Sequence, residues 1–207
     1  MLMRCLMILA LSVSLFVLPG PARSAEGGAT DGVRGVLDRA MQIQTNPSLE
    51  GEAHRKERAK LIRQLIADSF LPAEMARTAL GSQWDKLSGK QRKEFQDLFT
   101  GLFQDSYTRM VLNFLQKESI EYRGESPEGK SVQVKTVIMR ANEHIPVNYT
   151  VDQKNKRWLI SDVEIDGVSI VENYRNTFQK AIQTSSFEGL MQKMRIQRQA
   201  SGLDSAS

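Results

Sequence analysis

The chain of 207 residues has two histidines, His54 and His144, and neither stands at a spacing that makes chemistry. A zinc site would need histidines on one helical turn or paired cysteines, and no HxxxH, HExxH or CxxC pattern is present. His54 falls among Glu52, Arg55, Lys56 and Glu57 on a charged helical face, and His144 opens a strand beside a turn; both are expected on the surface. The carboxylates are more suggestive. Asp162, Glu164 and Asp166 alternate, so the first two share a strand face, as an acid/base pair would. A solvent-facing strand edge followed by a turn aspartate has the same spacing and is the favoured reading. Tyr149 with Asp162 is the best polar pair that an exported hydrolase or isomerase on a cone-shaped α+β scaffold could draw on. No phosphate loop, nucleophile elbow or dinucleotide fingerprint occurs. No catalytic residue, metal or cofactor is therefore expected. Basic residues are interspersed with acidic ones and no aromatic stripe runs between them, so no nucleic-acid partner is expected either.

The elements that would position any site centre on residues 157–178, RWLISDVEIDGVSIVENYRNTF. Period-two alternation predicts a strand, Asp166-Gly167 a turn, and Ser169 with Glu172 a helix N-terminus near Ile170. Upstream, helical spacing covers 31–44, then 49–69, with Asn46-Pro47 between them, and a short helix follows over 70–80 with Gly81 as its cap. Ser88 and Gln91 open the longest helix, whose apolar positions run from Phe95 to Leu115 and include Phe95, Phe99, Phe103 and Tyr107 at steps of four. The period then changes to two. A short strand over 120–122, a turn over 124–129, strands over 131–140 and 144–151, a charged loop over 152–157 and the strand of the corner form a four-stranded antiparallel meander. Pro146 places its strand near an edge or marks its start. Helices first, sheet next and helices last make an α+β fold, with the long aromatic helix expected to cover one sheet face and amphipathic helices closing around the curved sheet. Such a layout can enclose an apolar pocket, although periodicity alone does not separate a pocket from a full core.

The first residues carry a different signal. Met1 to Arg4 bears one positive charge, residues 5–18 are apolar or small, Pro19-Gly20-Pro21 breaks the run, and Ala22-Arg23-Ser24 places small residues at −3 and −1 of a cleavage site. This is the pattern of a secretory signal peptide over 1–24, too short in its apolar part for a good membrane span. Removing it takes Arg4 and Arg23 from 28 basic residues, leaving 26 against 24 acidic ones, so the formal charge falls from +4 to +2. The single cysteine, Cys5, leaves as well, and an exported chain without cysteine is held by its core alone. One domain is expected over 25–195, followed by a polar, flexible tail over 196–207.

Several motifs in register then suggest a family. Residues 68–99, DSFLPAEMARTALGSQWDKLSGKQRKEFQDLF, and residues 158–178 resemble the MlaC-type, or toluene-tolerance, periplasmic phospholipid-binding proteins. The likeness includes A-L-G-x-x-W at 79–84, Q-R-x-x-F at 91–95, D-V-x-I-x-G-V-S at 162–169 and N-Y-R-x-x-F at 173–178. The resemblance implies a non-enzymatic carrier in the Gram-negative periplasm that holds phospholipid acyl chains between sheet and helices and leaves the headgroup near solvent. Its implied partners are an outer-membrane lipoprotein–porin complex and an inner-membrane ABC transporter with an MCE-domain subunit, in the maintenance of outer-membrane lipid asymmetry. A branch of the family is associated with hopanoids, so that cargo stays open, as does an adaptor with a solid core. The expected pocket residues are Phe99, Phe103, Tyr107, Val111, Val134, Ile138, Val147, Tyr149, Ile160 and Val163. Arg175 is a candidate headgroup or partner contact, with a helix-surface ion pair as the competing reading.

Overall fold

The computed structural model describes residues 27–115, 118–140 and 142–201. The expected signal peptide over 1–24 lies outside the described residues, as does the tail from 202 onward. Helix α1 (Ala29–Gln44) buries Ala29, Val33, Leu37, Ala40 and Ile43, the apolar stripe its spacing predicts. The next helix starts later than its pattern suggests. Two 3-10 turns, Pro47–Leu49 and Glu52–His54, flank Gly51, and α2 runs over Arg55–Ser69. Helix α3 (Pro72–Leu80) begins at a proline, whose missing N–H costs nothing in a first turn. Helix α4 (Gly89–Phe114) starts at Ser88, whose Oγ accepts from the Gln91 backbone N–H at 3.3 Å while Gln91 Oε1 accepts from the Ser88 N–H at 3.0 Å.

Among the described residues five strands follow in the order β1-β2-β3-β4-β5, all antiparallel: β1 (Ser119–Glu128), β2 (Ser131–Arg140), β3 (Glu143–Lys154), β4 (Arg157–Ile165) and β5 (Val168–Ser169). The meander is as expected, with the two-residue β5 added. β1 is ten residues long rather than a short strand with a turn. Gly124 sits in a bulge at φ +108°, and Pro127 is tolerated because β1 is an edge strand. The charged loop over 152–157 shrinks to a two-residue turn at Asn155-Lys156, both with positive φ, the geometry that matches hairpin twist. Asp166-Gly167 repeats it between β4 and β5. Pro146 lies in the central strand, at the end where pairing with β4 has not yet begun, so no ladder bond needs its nitrogen on that side.

Helix α5 (Ile170–Thr184) starts at the predicted residue, with Ser169 Oγ accepting from the Glu172 N–H at 3.0 Å. Helix α6 (Phe187–Ala200) continues beyond the point where a frayed tail was expected. Its Arg198 pairs with Asp105, a fully buried carboxylate of α4 that also pairs with Arg63 of α2 and accepts from Ser201 Oγ at 3.0 Å. Gly101 permits this crossing, because a Cβ there would lie 2.5 Å from Arg198 Nε.

The layering differs from expectation in one respect. Helix α4 packs on α2, α3 and α6, whereas α1, α2, α3 and α5 are the helices that approach β4 most closely. The long helix faces the sheet across a gap.

Candidate functional site

The gap is a cavity of about 320 Å³ between α4 and the concave face of the sheet. Val36, Leu37 and Ala40 of α1, with Ile62, Leu65 and Ile66 of α2, close one side. Tyr107, Met110, Val111, Phe114 and Leu115 line it from the C-terminal half of α4. The sheet contributes Ile138 and Arg140 from β2, Ile145, Val147 and Tyr149 from β3, and Ile160, Val163 and Ile165 from β4. Phe70 completes the wall, with its ring 5.4 Å from Phe103 and 6.5 Å from Tyr107. Two lining residues also reach solvent: Phe114 is 58% exposed and the Arg140 side chain 45%. The mouth therefore lies where the C-terminus of α4 meets the end of β2. Arg140 is the charged residue among the described lining side chains.

Of the ten expected pocket residues, Tyr107, Val111, Ile138, Val147, Tyr149, Ile160 and Val163 stand together on this wall. Ile160 and Val163 are three apart, so strict alternation would separate them. The β4 register passes from Val151↔Ile160 to Thr150↔Asp162, and the extra residue, Ser161, returns Val163 to the face of Ile160. Phe99, Phe103 and Val134 belong instead to the closed core, with exposures of 1%, 0% and 0%. The Phe99 ring meets Tyr174 at 5.0 Å and Phe178 at 6.1 Å, both of α5, so α5 closes over this part of α4, and the cavity borders α4 from Tyr107 onward. Arg175 stands away from the cavity. Its guanidinium pairs with Glu172 at 2.7 Å and donates to the Thr78 carbonyl at 3.3 Å, so it ties α5 to α3 as a helix-surface ion pair. The lining from α1 and α2 had shown only ordinary amphipathic stripes in the sequence. Arg140 carried no signal at all, being one charge at the end of a strand.

Residues 34–196 match the family model described as MlaC protein. The chain belongs to the MlaC family. This MlaC-family chain is 24% identical over 148 residues to the Haemophilus influenzae intermembrane phospholipid transport system binding protein MlaC, covering 67% of this chain and 69% of the relative. Its fold is shared with the phospholipid-binding protein from Ralstonia solanacearum, solved in complex with a phospholipid. That match has a TM-score of 0.70 at 21% identity and covers 84% of this chain and 98% of the other.

The polar groups of the MlaC-family chain do not converge on the cavity as a reacting set. Tyr149 pairs with Val163 and Asp162 with Thr150, so Tyr149 and Asp162 project to opposite faces of the sheet. The hydrolase pair suggested by the sequence is therefore not brought together. Asp162 is used structurally: it accepts from the Val163 and Val171 N–H groups at 2.8 and 3.1 Å and from Ser169 Oγ, fastening the start of α5 to β4. Burial raises its pKa above the ordinary carboxylate value, and those three hydrogen bonds oppose the shift. Burial likewise raises the pKa of Tyr149, with the neighbouring Tyr122 adding to it, and that of Tyr107, with Tyr174 and Asp162 adding to it. Both phenols stay neutral, as an apolar cavity requires. His54 is on the surface, 3.7 Å from Glu57. Among the described residues, no group of three or more His, Cys, Asp or Glu side chains could hold a metal, and no helix is long and apolar enough to cross a membrane. What the arrangement can do is shield an apolar chain from water, with the Arg140 cation at the entrance.

Proposed function

We propose that this chain is a non-enzymatic periplasmic carrier that buries phospholipid acyl chains in the cavity, keeps the headgroup at the Phe114 and Arg140 mouth, and moves lipid between membrane complexes. The observation that carries this reading is the cavity itself: a nearly unbroken apolar wall that opens to solvent beside Arg140. The volume of about 320 Å³ falls within the ~300–1,000 Å³ usual for ligand pockets. Membership of the MlaC family and the phospholipid held by the Ralstonia solanacearum neighbour support it. At about 0.8 kcal/mol per methylene, hiding two acyl chains from water is worth on the order of 20 kcal/mol. Transfer from bilayer to cavity exchanges one apolar environment for another, so little net free energy is needed here. Direction is then set by the partners, an outer-membrane lipoprotein–porin complex and an inner-membrane ABC transporter with an MCE-domain subunit. The leader over 1–24 supplies export.

Mass spectrometry of an organic extract of the chain, purified from the periplasm of a Gram-negative host, tests the reading. Diacyl phospholipid in near-stoichiometric amount, and a mature chain beginning at Ala25, are the expected results. An extract free of lipid overturns the carrier, and hopanoid in place of phospholipid would reassign its cargo.

A further inference from the structure

A polar cleft of about 590 Å³ lies beside the N-terminal half of α1, between that helix, the end of α2 and the β3–β4 turn. It shares two lining residues with the acyl cavity, Val36 of α1 and Leu65 of α2. Both are half-buried apolar side chains at the seam where these helices pack, so cleft and cavity are neighbours across that seam. The Phe114 and Arg140 mouth lies toward the other end of α1, where Gln44 Nε2 donates to the Val111 and Leu115 carbonyls at 2.9 Å. Cations outnumber anions in the cleft: Arg39, Lys156 and Arg157 line it against Asp31, whose carboxylate accepts from the Gly28 N–H at 3.1 Å in the α1 cap. Arg157 donates one Nη to the Asp68 carbonyl at 2.8 Å and Arg39 donates to Gln42 Oε1 at 3.3 Å, and a guanidinium with five N–H donors keeps others for a further acceptor. Ser69, 6% exposed, adds to the wall at the end of α2. On the α1 side a Cβ at Gly35 would meet nothing within 4 Å, so the cleft is open there.

We propose that this cleft is a second headgroup seat, in which Arg39, Lys156 and Arg157 hold the phosphate of a phospholipid whose acyl chains pass between Val36 and Leu65 into the cavity. This rests on the carrier reading, because the cavity is what receives the chains. Arginine binds phosphate oxygens through parallel N–H donors, and lysine adds a point charge. A basic cleft standing alone would suit any small anion. The seam ties this one to lipid, since an anion seated here has the apolar cavity directly behind it. Val36 and Leu65 turn aside to admit a chain, and both present apolar surface to it as it passes. A lipid then lies in either sense, with its headgroup at the Arg140 mouth or in the cleft. The carrier can thereby present its cargo from both ends of α1.

The test titrates the purified chain with diheptanoylphosphatidylcholine below its micellar concentration and, separately, with inorganic phosphate, reading amide shifts by NMR. The Trp158 indole and the Gly35 and Arg157 amides report the cleft; the Phe114 and Arg140 amides report the mouth. The lipid is expected to move both sets together with the cavity methyls. In a Lys156→Gln, Arg157→Gln double variant, loss of two charge-assisted contacts at about threefold each should lower occupancy of the cleft about tenfold while the mouth shifts grow. Gly35→Phe fills the cleft without changing a charge, and its side chain enters open space, so it folds even if the double variant does not. It is expected to remove the cleft response in the same way, which general attraction of lipid to basic residues would not explain. Inorganic phosphate, having no chain, is expected to bind the cleft at least ~100-fold more weakly than the lipid. Equal affinity for the two would give the site to a free ion and overturn the link to the cavity. Cleft signals that stay still with lipid, or that move equally in Gly35→Phe and the unaltered chain, overturn the second seat; mouth and cavity shifts would then persist and leave the carrier reading intact. Absence of any lipid-induced shift removes the carrier reading, and the second seat with it.

Discussion

Val147 lies in the central strand, 4% exposed, and its side chain forms part of the cavity wall. Val147→Phe places about four more carbons in a space that cargo would otherwise fill, which at about 0.8 kcal/mol per methylene-sized group amounts to about 3 kcal/mol, or roughly 200-fold in affinity for a chain long enough to need that space. A short chain leaves room and should bind unchanged. The assay is a homologous series of lysophospholipids, with Kd read by displacement of a fluorescent fatty-acid probe. Affinity should rise about fourfold per methylene until the cavity is full and then level off. In Val147→Phe the levelling should come about four carbons earlier, because each added carbon displaces about one methylene. Val134→Phe is the control. Val134 is fully buried in the same sheet yet off the cavity wall. Overpacking there should lower stability by about 1–3 kcal/mol without moving the chain-length limit. Superimposable curves for Val147→Phe and the unaltered chain, or an equal shift in Val134→Phe, would refute the assignment of the wall.

Asp105→Asn should lower stability. Arg63 and Arg198 then face a neutral amide, but with side-chain exposures of 31% and 22% they can recover some hydration. The loss should thus be about 2–3 kcal/mol, below the ~3–5 kcal/mol of a fully stranded buried charge. For a domain of this size that lowers Tm by roughly 4–10 °C, readable by circular dichroism, and a shift near zero would refute the linkage. Stability should also fall in alkali. Below the ordinary phenol pKa of about 10, folded and unfolded chains hold the same tyrosine protons; above it the unfolded chain releases protons that buried Tyr107 and Tyr149 keep, so unfolding gains ground as pH rises. Urea midpoints should decline less steeply in a Tyr107→Phe, Tyr149→Phe double variant, with Tyr122 and Tyr174 supplying the remaining decline because burial raises them too. An unchanged slope refutes the assignment.

The punctuation of the chain was legible because it depends on short-range chemistry. Ser88 and Ser169 cap their helices where spacing alone placed them. β1 was misread because Gly124 and Pro127 are turn residues in most settings, and only the free edge and the bulge admit them into a strand. Phe103 and Tyr107 stand one turn apart on one face of α4, so sequence periodicity gave them the same environment. Their difference is set from elsewhere in the chain: Phe103 is enclosed by the Phe99 and Phe70 rings, and Phe99 in turn by Tyr174 and Phe178 of α5, while Tyr107 borders the cavity. The depth of a residue along a helix face, and hence core against cavity, is a tertiary property that no local spacing records. Arg140 shows the same limit for charge: its neighbours Glu118, just before β1, and Phe114, at the end of α4, are brought beside it only by the fold.

The extra residue at Ser161 gives β4 something like a reading frame. On its N-terminal side even-numbered residues face the cavity; on its C-terminal side odd-numbered ones do. Asp162 can therefore reach outward to hold α5 while Ile160 and Val163, on either side of it, both face in. Deleting Ser161 would remove the bulge and return β4 to strict alternation, with Ile160 and Val163 still on one face and Asp162 on the other. Point substitutions in this strand are local events, whereas a change of one residue outside the bulge would turn every side chain beyond it to the other face. Lineages descended from this chain should accordingly vary the composition of β4 far more freely than its number of residues.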